Sequence, residues 1–203
     1  MKIIHNFIDE NARVKTLDWV NTTDFKRLSH EKDASANISK ELNGFTALFD
    51  FNHSYLSQYI SQFHGDYVKD KPNEILVSLK DKISETLKVS QESSYVQVIV
   101  LNAGGEVIPH YDASVNGYVN YKCNVVLDGP EDDYIYVNKD AHIINNSDLY
   151  CFEASLFKHW AKPVNCKRVV LSFGFLLPYA DLGWSENDPR VKMSNRIMNQ
   201  IVK

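Results

Sequence analysis

Glycine and proline are scarce in this chain, 8 and 6 among 203 residues, and it contains no Ser/Gly/Pro-rich tract and no repeat. Linkers and disordered arms need such tracts, so the whole length is expected to fold together as one domain of ordinary size. Cysteine is equally sparse. Cys123, Cys151 and Cys166 form an odd set without a C-x-x-C spacing, which fits neither a disulfide framework nor a zinc knuckle. Free thiols in a reducing compartment follow, with Cys123 and Cys151 behaving as small hydrophobes inside apolar runs.

An excess of basic charge is missing too. The formal net charge is -4 and the pI is near 6.0, which argues against a protein built to neutralise a nucleic-acid backbone. No run approaches the ~20 apolar residues of a membrane-spanning helix. The opening MKIIHNFIDENARVK lacks the basic segment and continuous apolar core of an export signal. The expectation is a soluble, cytoplasmic protein with no membrane partner, for which a nucleic-acid partner is disfavoured but a local basic groove is left open.

What is present is 44% hydrophobic and 12% aromatic, enough for a sizeable core. Residues 1–94 read as a helical and irregular supporting region. Ile3, Ile4, Phe7 and Ile8 suggest a short strand, Asp9 through Val20 a helix, and Asp24 to Leu42 a polar, loop-rich stretch. Tyr55, Leu56, Tyr59, Ile60 and Phe63 have helical spacing within Asn52 to Phe63, and Pro72 opens a second helix with Ile75, Leu76, Leu79, Ile83 and Leu87 on one stripe. Residues 95–177 instead carry short runs rich in Val, Ile, Tyr and Phe. These predict strands over 95–102, 106–113, 118–127, 133–138, 148–153, 156–161 and 167–177, divided by turn signals such as Ala103-Gly104-Gly105, Asp128-Gly129-Pro130 and Asn145-Asn146-Ser147. Short strands preceded by helices predict a mainly β sandwich or barrel with flanking helices. Residues 178–203 form a tail in which Pro189 to Val202 is amphipathic and predicted helical.

His110-Tyr111-Asp112 falls in the predicted strand 106–113. Side chains alternate along a strand, so His110 and Asp112 share a face and can grip one ion. One imidazole and one carboxylate from neighbouring positions, with a second imidazole from a distant strand, make the facial triad that suits non-haem Fe(II) and leaves positions open. His159 is the candidate third ligand, closing YCFEASLFKHW ahead of a turn and a strand that contains Arg168. His5, His30, His53 and His64 fall in the helical half and His142 in a polar stretch, where loop or surface roles are the simpler reading. A His-x-Asp triplet carries little weight alone, because two polar residues on a strand are often a solvated face.

Arg168 adds the second half of the pattern. It opens RVVLSFGF, a run so apolar that an inward arginine is costly unless it meets an anion. A dicarboxylate such as 2-oxoglutarate supplies one: its keto-acid end chelates the metal and its far carboxylate accepts a bidentate guanidinium bond. Ser172 shares the face of Arg168 and can add a hydroxyl donor.

Taken together, these residues resemble the Fe(II)/2-oxoglutarate-dependent oxygenase superfamily, whose core is a double-stranded β-helix, a jelly-roll of cupin-like form. The resemblance spans about 95–177 and is clearest in GGEVIPHYD and FEASLFKHWAKPVNCKRVVLSFGFLLP. The second stretch looks most like the aspartyl/asparaginyl β-hydroxylase branch, with Phe152, Ser155, His159, Arg168 and Leu171 matching its arrangement. That branch implies cosubstrate contacts on the strand after the first histidine, where NYKCNVVL places Lys122 and Asn124. Two departures keep a prolyl-hydroxylase-like relationship open: Asp112 stands where the branch has glycine, and the spacing before His159 is longer by one.

The resemblance implies Fe(II), 2-oxoglutarate and O2, release of succinate and CO2, and hydroxylation of an amino acid or of a protein or peptide side chain. It requires no catalytic residue beyond the metal centre. Loops Ser114 to Asn120 and Pro130 to Asp133 are candidates for the mouth of the barrel. Tyr111, Tyr118, Tyr121 and Trp160 can stack on a substrate, although strand aromatics more often serve as core or wall. Two other readings stay open: a non-catalytic, cupin-like protein that binds a metal or small molecule, and a β-sandwich in which the polar residues are incidental. The oligomeric state is not legible.

Overall fold

The computed structural model describes residues 1–25, 43–51, 67–68, 71–131 and 134–201. Its strands are β1 (Lys2–Ile4), β2 (Gly44–Asp50), β3 (Tyr67–Val68), β4 (Ser94–Leu101), β5 (Val107–His110), β6 (Tyr118–Asp128), β7 (Tyr134–Val137), β8 (Asp140–Ile143), β9 (Leu149–Glu153), β10 (His159–Ala161) and β11 (Arg168–Pro178). The helices are α1 (Glu10–Thr22), α2 (Glu74–Leu87) and α3 (Pro189–Ile201), with a 3-10 turn at Ala180–Leu182. One sheet has the order β1-β9-β6-β11-β4-β2-β3 and the other β5-β10-β7-β8. Strands far apart in sequence lie side by side, as β11 does between β4 and β6. This is the mainly β, jelly-roll architecture with flanking helices. No helix among the described residues is long and apolar enough to cross a membrane.

The alternation of β11 shows how the layers form. Val169, Leu171, Phe173, Phe175 and Leu177 point to one face, where they are buried with Val96, Val98 and Val100 of β4 and Cys123 and Val125 of β6. Val20 of α1 and Leu76, Leu79 and Ile83 of α2 close this layer. Burial of each large apolar side chain contributes roughly 1.5–3 kcal/mol, so the helix-facing side supplies much of the driving force for folding. The opposite face looks toward the small sheet, where Val126, Val170, Tyr150 and Phe152 pack with Ile135, Val137 and Ala161. The helices begin on side-chain caps: Asp9 accepts the Ala12 N–H at 2.8 Å and Asn73 the Ile75 N–H at 2.8 Å.

Several boundaries differ from the sequence reading. The first strand stops at Ile4, while Phe7 and Ile8 are buried in the core without strand pairing. Gly44–Asp50, unrecognised as a strand, pairs with β4 along its whole length, and Asp140–Ile143 pairs with β7, placing His142 in a strand. The strand expected at 106–113 ends at His110. The one expected at 156–161 begins at His159, because the Leu156 and Phe157 N–H groups both turn back to the Glu153 carbonyl. The helix expected between Asn52 and Phe63, with His53, and most of the stretch Asp24 to Leu42, with His30, lie outside the described residues, as does His64. All three cysteines are free; Cys123 and Cys151 face each other across β6 and β9 within the buried layer.

Gly174 is the close approach on which the inner face depends. It pairs with Tyr95 on one side and Lys122 on the other, and a Cβ there would overlap the ring of Tyr95, which is fully buried. Gly174→Ala is expected to destabilise the protein by about 1–3 kcal/mol through overpacking, a fall of roughly 3–10 °C in melting temperature for a chain of this size. Circular dichroism melts check it, and an unchanged midpoint would mean that the Tyr95 ring yields freely.

Candidate metal centre

His110 ends β5 and His159 begins β10, and the two are directly paired across the small sheet, with ring centroids 4.3 Å apart. Asp112 reaches them from beyond the strand rather than by strand alternation. After His110 the chain leaves the ladder, and the Asp112 N–H donates to the Ala154 carbonyl at 3.0 Å, past the end of β9. Asn120 fastens the same loop: its Nδ2 donates to the Ala113 carbonyl at 2.9 Å, and its backbone N–H donates to Ser155 Oγ at 3.1 Å. The shared face inferred for His110 and Asp112 is thus made by a loop tied to β9.

Each imidazole is oriented through its far nitrogen. His110 Nδ1 lies 2.7 Å from the Ile108 carbonyl and His159 Nδ1 lies 3.1 Å from the Phe157 carbonyl. A carbonyl only accepts, so these bonds place the N–H on Nδ1 and leave the Nε2 lone pair, when the ring is neutral, for another partner. Both Nε2 atoms face Asp112 Oδ1, at 3.2 and 3.5 Å. Two ligands about 2.1 Å from one ion and at right angles stand about 3 Å apart, so the spacing suits a single small cation. The ligand atoms all lie within 4.8 Å of one another, close enough for one cation to meet all three. The residues fit a divalent metal.

The electrostatics agree. Burial opposes ionisation of Asp112, yet Lys122, His159 and His110 outweigh it and hold its carboxyl well below the usual range. Burial also opposes protonation of His110, but Asp112 prevails and raises its pKa. For His159 burial wins and the pKa falls, keeping the ring in its neutral, ligating form. Lys122 is raised, with Asp112 and Tyr95 overcoming its desolvation. The site therefore attracts positive charge in spite of being buried.

Beside this cluster lies a cavity of about 100 Å³, several times the ~30 Å³ share of one water and suited to a small acid. Arg168, Lys122, Asn124 and Ser172 all line it, on the inner face of the large sheet, as do the three candidate ligands. Arg168 is only 3% exposed. Lys122, expected toward the far end of a cosubstrate, has its Nζ 3.3 Å from Asp112 Oδ2 and donates to Gln97 Oε1 at 3.1 Å. Ile99, Val107, Ile135 and Val170 supply apolar wall.

The sequence reading passed over Gln97, Thr46 and Tyr150, which line the same cavity. Gln97 was detectable as the lone polar residue inside YVQVIVL, and Tyr150 follows from the pairing of β9 with β6, which sets it opposite Asn124. Thr46 lies in the strand that was not recognised. Of the aromatics considered, Trp160 stacks on Tyr136, centroids 5.0 Å apart, while Tyr118 packs on the cluster of Leu48, Tyr95 and Leu176. Tyr121 packs against the helix-facing core.

No protein-family model matches this chain, and no curated protein sequence matches it. Solved structures do. A prolyl-4-hydroxylase from Pseudomonas putida superposes with a TM-score of 0.58 at 12% identity, covering 86% of this chain and 91% of the other. A viral collagen prolyl hydroxylase from Paramecium bursaria Chlorella virus-1, solved as a 2-oxoglutarate complex, gives 0.54 at 14% identity over 87% and 94%. A prolyl hydroxylase from Trichoplax adhaerens, in complex with a peptide fragment of the oxygen degradation domain of hypoxia inducible factor, gives 0.53 at 14% identity over 91% and 87%. At such identities the likeness establishes the fold, a jelly-roll like that of these hydroxylases.

A divalent ion held by the folded protein must stabilise it. Manganese(II) at about one hundred times its dissociation constant should add about 2.7 kcal/mol, raising the melting temperature by roughly 5–10 °C. In His159→Ala the shift should vanish; a shift that persists there would place the ion elsewhere.

Proposed function

We propose that this protein is an Fe(II)- and 2-oxoglutarate-dependent dioxygenase that hydroxylates an amino acid, most readily one carried in a peptide or protein. The observation that carries the reading is the convergence of His110 Nε2, His159 Nε2 and Asp112 Oδ1 beside a buried, doubly cationic cavity. Fe(II) bound there with 2-oxoglutarate and O2 supplies the oxidising power for an unactivated C–H bond, with release of succinate and CO2.

The chain's own part is positioning and shielding. His110, Asp112 and His159 would hold the metal, and three protein ligands would leave room on it for small molecules. Arg168 receives the far carboxylate of the cosubstrate through its planar fork, with Ser172 and Asn124 as neutral partners. Ile99, Val107, Ile135 and Val170 keep water from the reacting centre. The His110 side chain, 24% exposed against 4% for Asp112, marks the open side from which a substrate approaches. The peptide complex of the Trichoplax structural neighbour supports a peptide or protein substrate, and the 2-oxoglutarate complex of the viral one supports the cosubstrate.

Succinate formed from 2-oxoglutarate under air with Fe(II), with and without amino acids or peptides, measures the activity. His110→Ala and Asp112→Ala should each lose Fe(II) from the protein and lose turnover. Arg168→Ala should keep its metal and raise the KM for 2-oxoglutarate by about 10- to 100-fold, the loss of a charged hydrogen-bond pair. Tight metal binding with no succinate from any substrate would instead support a cupin-like binding protein.

A further inference from the structure

We infer that Lys122 is a positioning residue which confines Asp112 to single-oxygen ligation of the metal. The inference rests on reading His110, Asp112 and His159 as the metal site. The two oxygens of Asp112 have different partners: Oδ1 faces both histidine Nε2 atoms, at 3.2 and 3.5 Å, while Oδ2 lies 3.3 Å from Lys122 Nζ. Both side chains are buried, 5% exposed for Lys122 and 4% for Asp112.

The ammonium is itself fixed from three directions. It donates to Gln97 Oε1 at 3.1 Å, meets Asp112 Oδ2, and stands 4.9 Å from the centre of the Tyr95 ring. Strand register builds this nest: Tyr95, Gly174 and Lys122 lie in one row across β4, β11 and β6. The absent side chain at Gly174 leaves the space that the Tyr95 ring occupies. For Asp112 to chelate an ion with both oxygens, Oδ2 must leave Lys122, stranding a buried ammonium with fewer partners. Lys122 thereby keeps one more metal position open for small molecules.

This role has a sign that a purely structural role lacks. A fixed ammonium close to a divalent ion repels it, and it also withholds Oδ2 from it. Removing the charge should therefore tighten metal binding, whereas loss of a mere support should loosen it. The experiment is a manganese(II) titration of the full chain by electron paramagnetic resonance, at one pH, comparing wild type with Lys122→Met, Lys122→Gln and the charge-keeping Lys122→Arg. Both neutral variants should bind manganese(II) about tenfold more tightly, and Lys122→Arg should stay near wild type. Unchanged or weaker binding in a folded neutral variant overturns the inference; if 2-oxoglutarate binding weakens there instead, Lys122 is a cosubstrate contact.

A second measurement needs no variant. The infrared difference spectrum of metal-loaded against metal-free wild type should show the widely split carboxylate stretches of a one-oxygen ligand; closely spaced, chelate-type stretches overturn the inference. Wild type that takes up no manganese(II) overturns the metal-site reading itself. That result is distinct from wild type that binds the ion while the variants move the wrong way.

Discussion

The strict two-faced alternation of the central strands β4, β11 and β6 is the constraint on which everything else rests. Their helix-facing residues are almost wholly apolar and fully buried, which offsets the desolvation of the polar set on the other side. Because the strands are in register, the polar residues meet in rows: Gln97, Ser172 and Asn124 are neighbours across the sheet, and Tyr95, Gly174 and Lys122 form the next row. A slip by one residue would drive Arg168 and Lys122 into the helix layer and turn Phe173 into the cavity. One register therefore decides both the fold and the charge lining of the pocket.

The small sheet contributes differently, through the ends of its strands. His110 stands at the last position of β5 and His159 at the first of β10, so each ring sits where strand gives way to loop. Their Nδ1 bonds to carbonyls two residues upstream fix ring orientation without using a side chain from elsewhere. Asp112 is placed by the large sheet instead, through Ala154 and the Asn120 bridge. The cluster is thus a joint between the two sheets, and its geometry depends on how they pack.

Much of this was legible in the sequence, for identifiable reasons. The polar residues His110, Asp112, His159 and Arg168 stand out because their surroundings are apolar enough to make chance burial expensive. Strand alternation alone nevertheless does not bring His110 and Asp112 together. Alternation continues on paper through GGEVIPHYD, while the chain leaves the ladder after His110 because Asp112 finds its hydrogen bond on Ala154. Strand β2 escaped notice because GFTALFD follows a long polar stretch and carries little alternation. Strand β8 escaped because DAHI, largely exposed at the sheet edge, has the composition of a loop. Phe152 and Ser155, which carried the likeness to the asparaginyl branch, have structural tasks here. Phe152 packs edge-on against His159, and Ser155 Oγ receives the Asn120 N–H.

The charges of the cavity also suggest an order of events. Among the described residues that line it, Asp112 is the one carboxylate, and Lys122 and Arg168 are the cations. Asp112 is compensated by Lys122 and by the raised basicity of His110, which lets the three side chains stay gathered. On the proposed reading, a divalent ion held by these residues would displace any proton on His110 and leave a surplus of positive charge beside Lys122. In a medium of low effective dielectric that surplus is costly, and a dianion relieves it better than a neutral or singly charged ligand. On the proposed reading, metal binding would thereby create the demand for a dicarboxylate, and the position of Arg168 on the inner face of β11 would favour one able to span from the ion to the guanidinium.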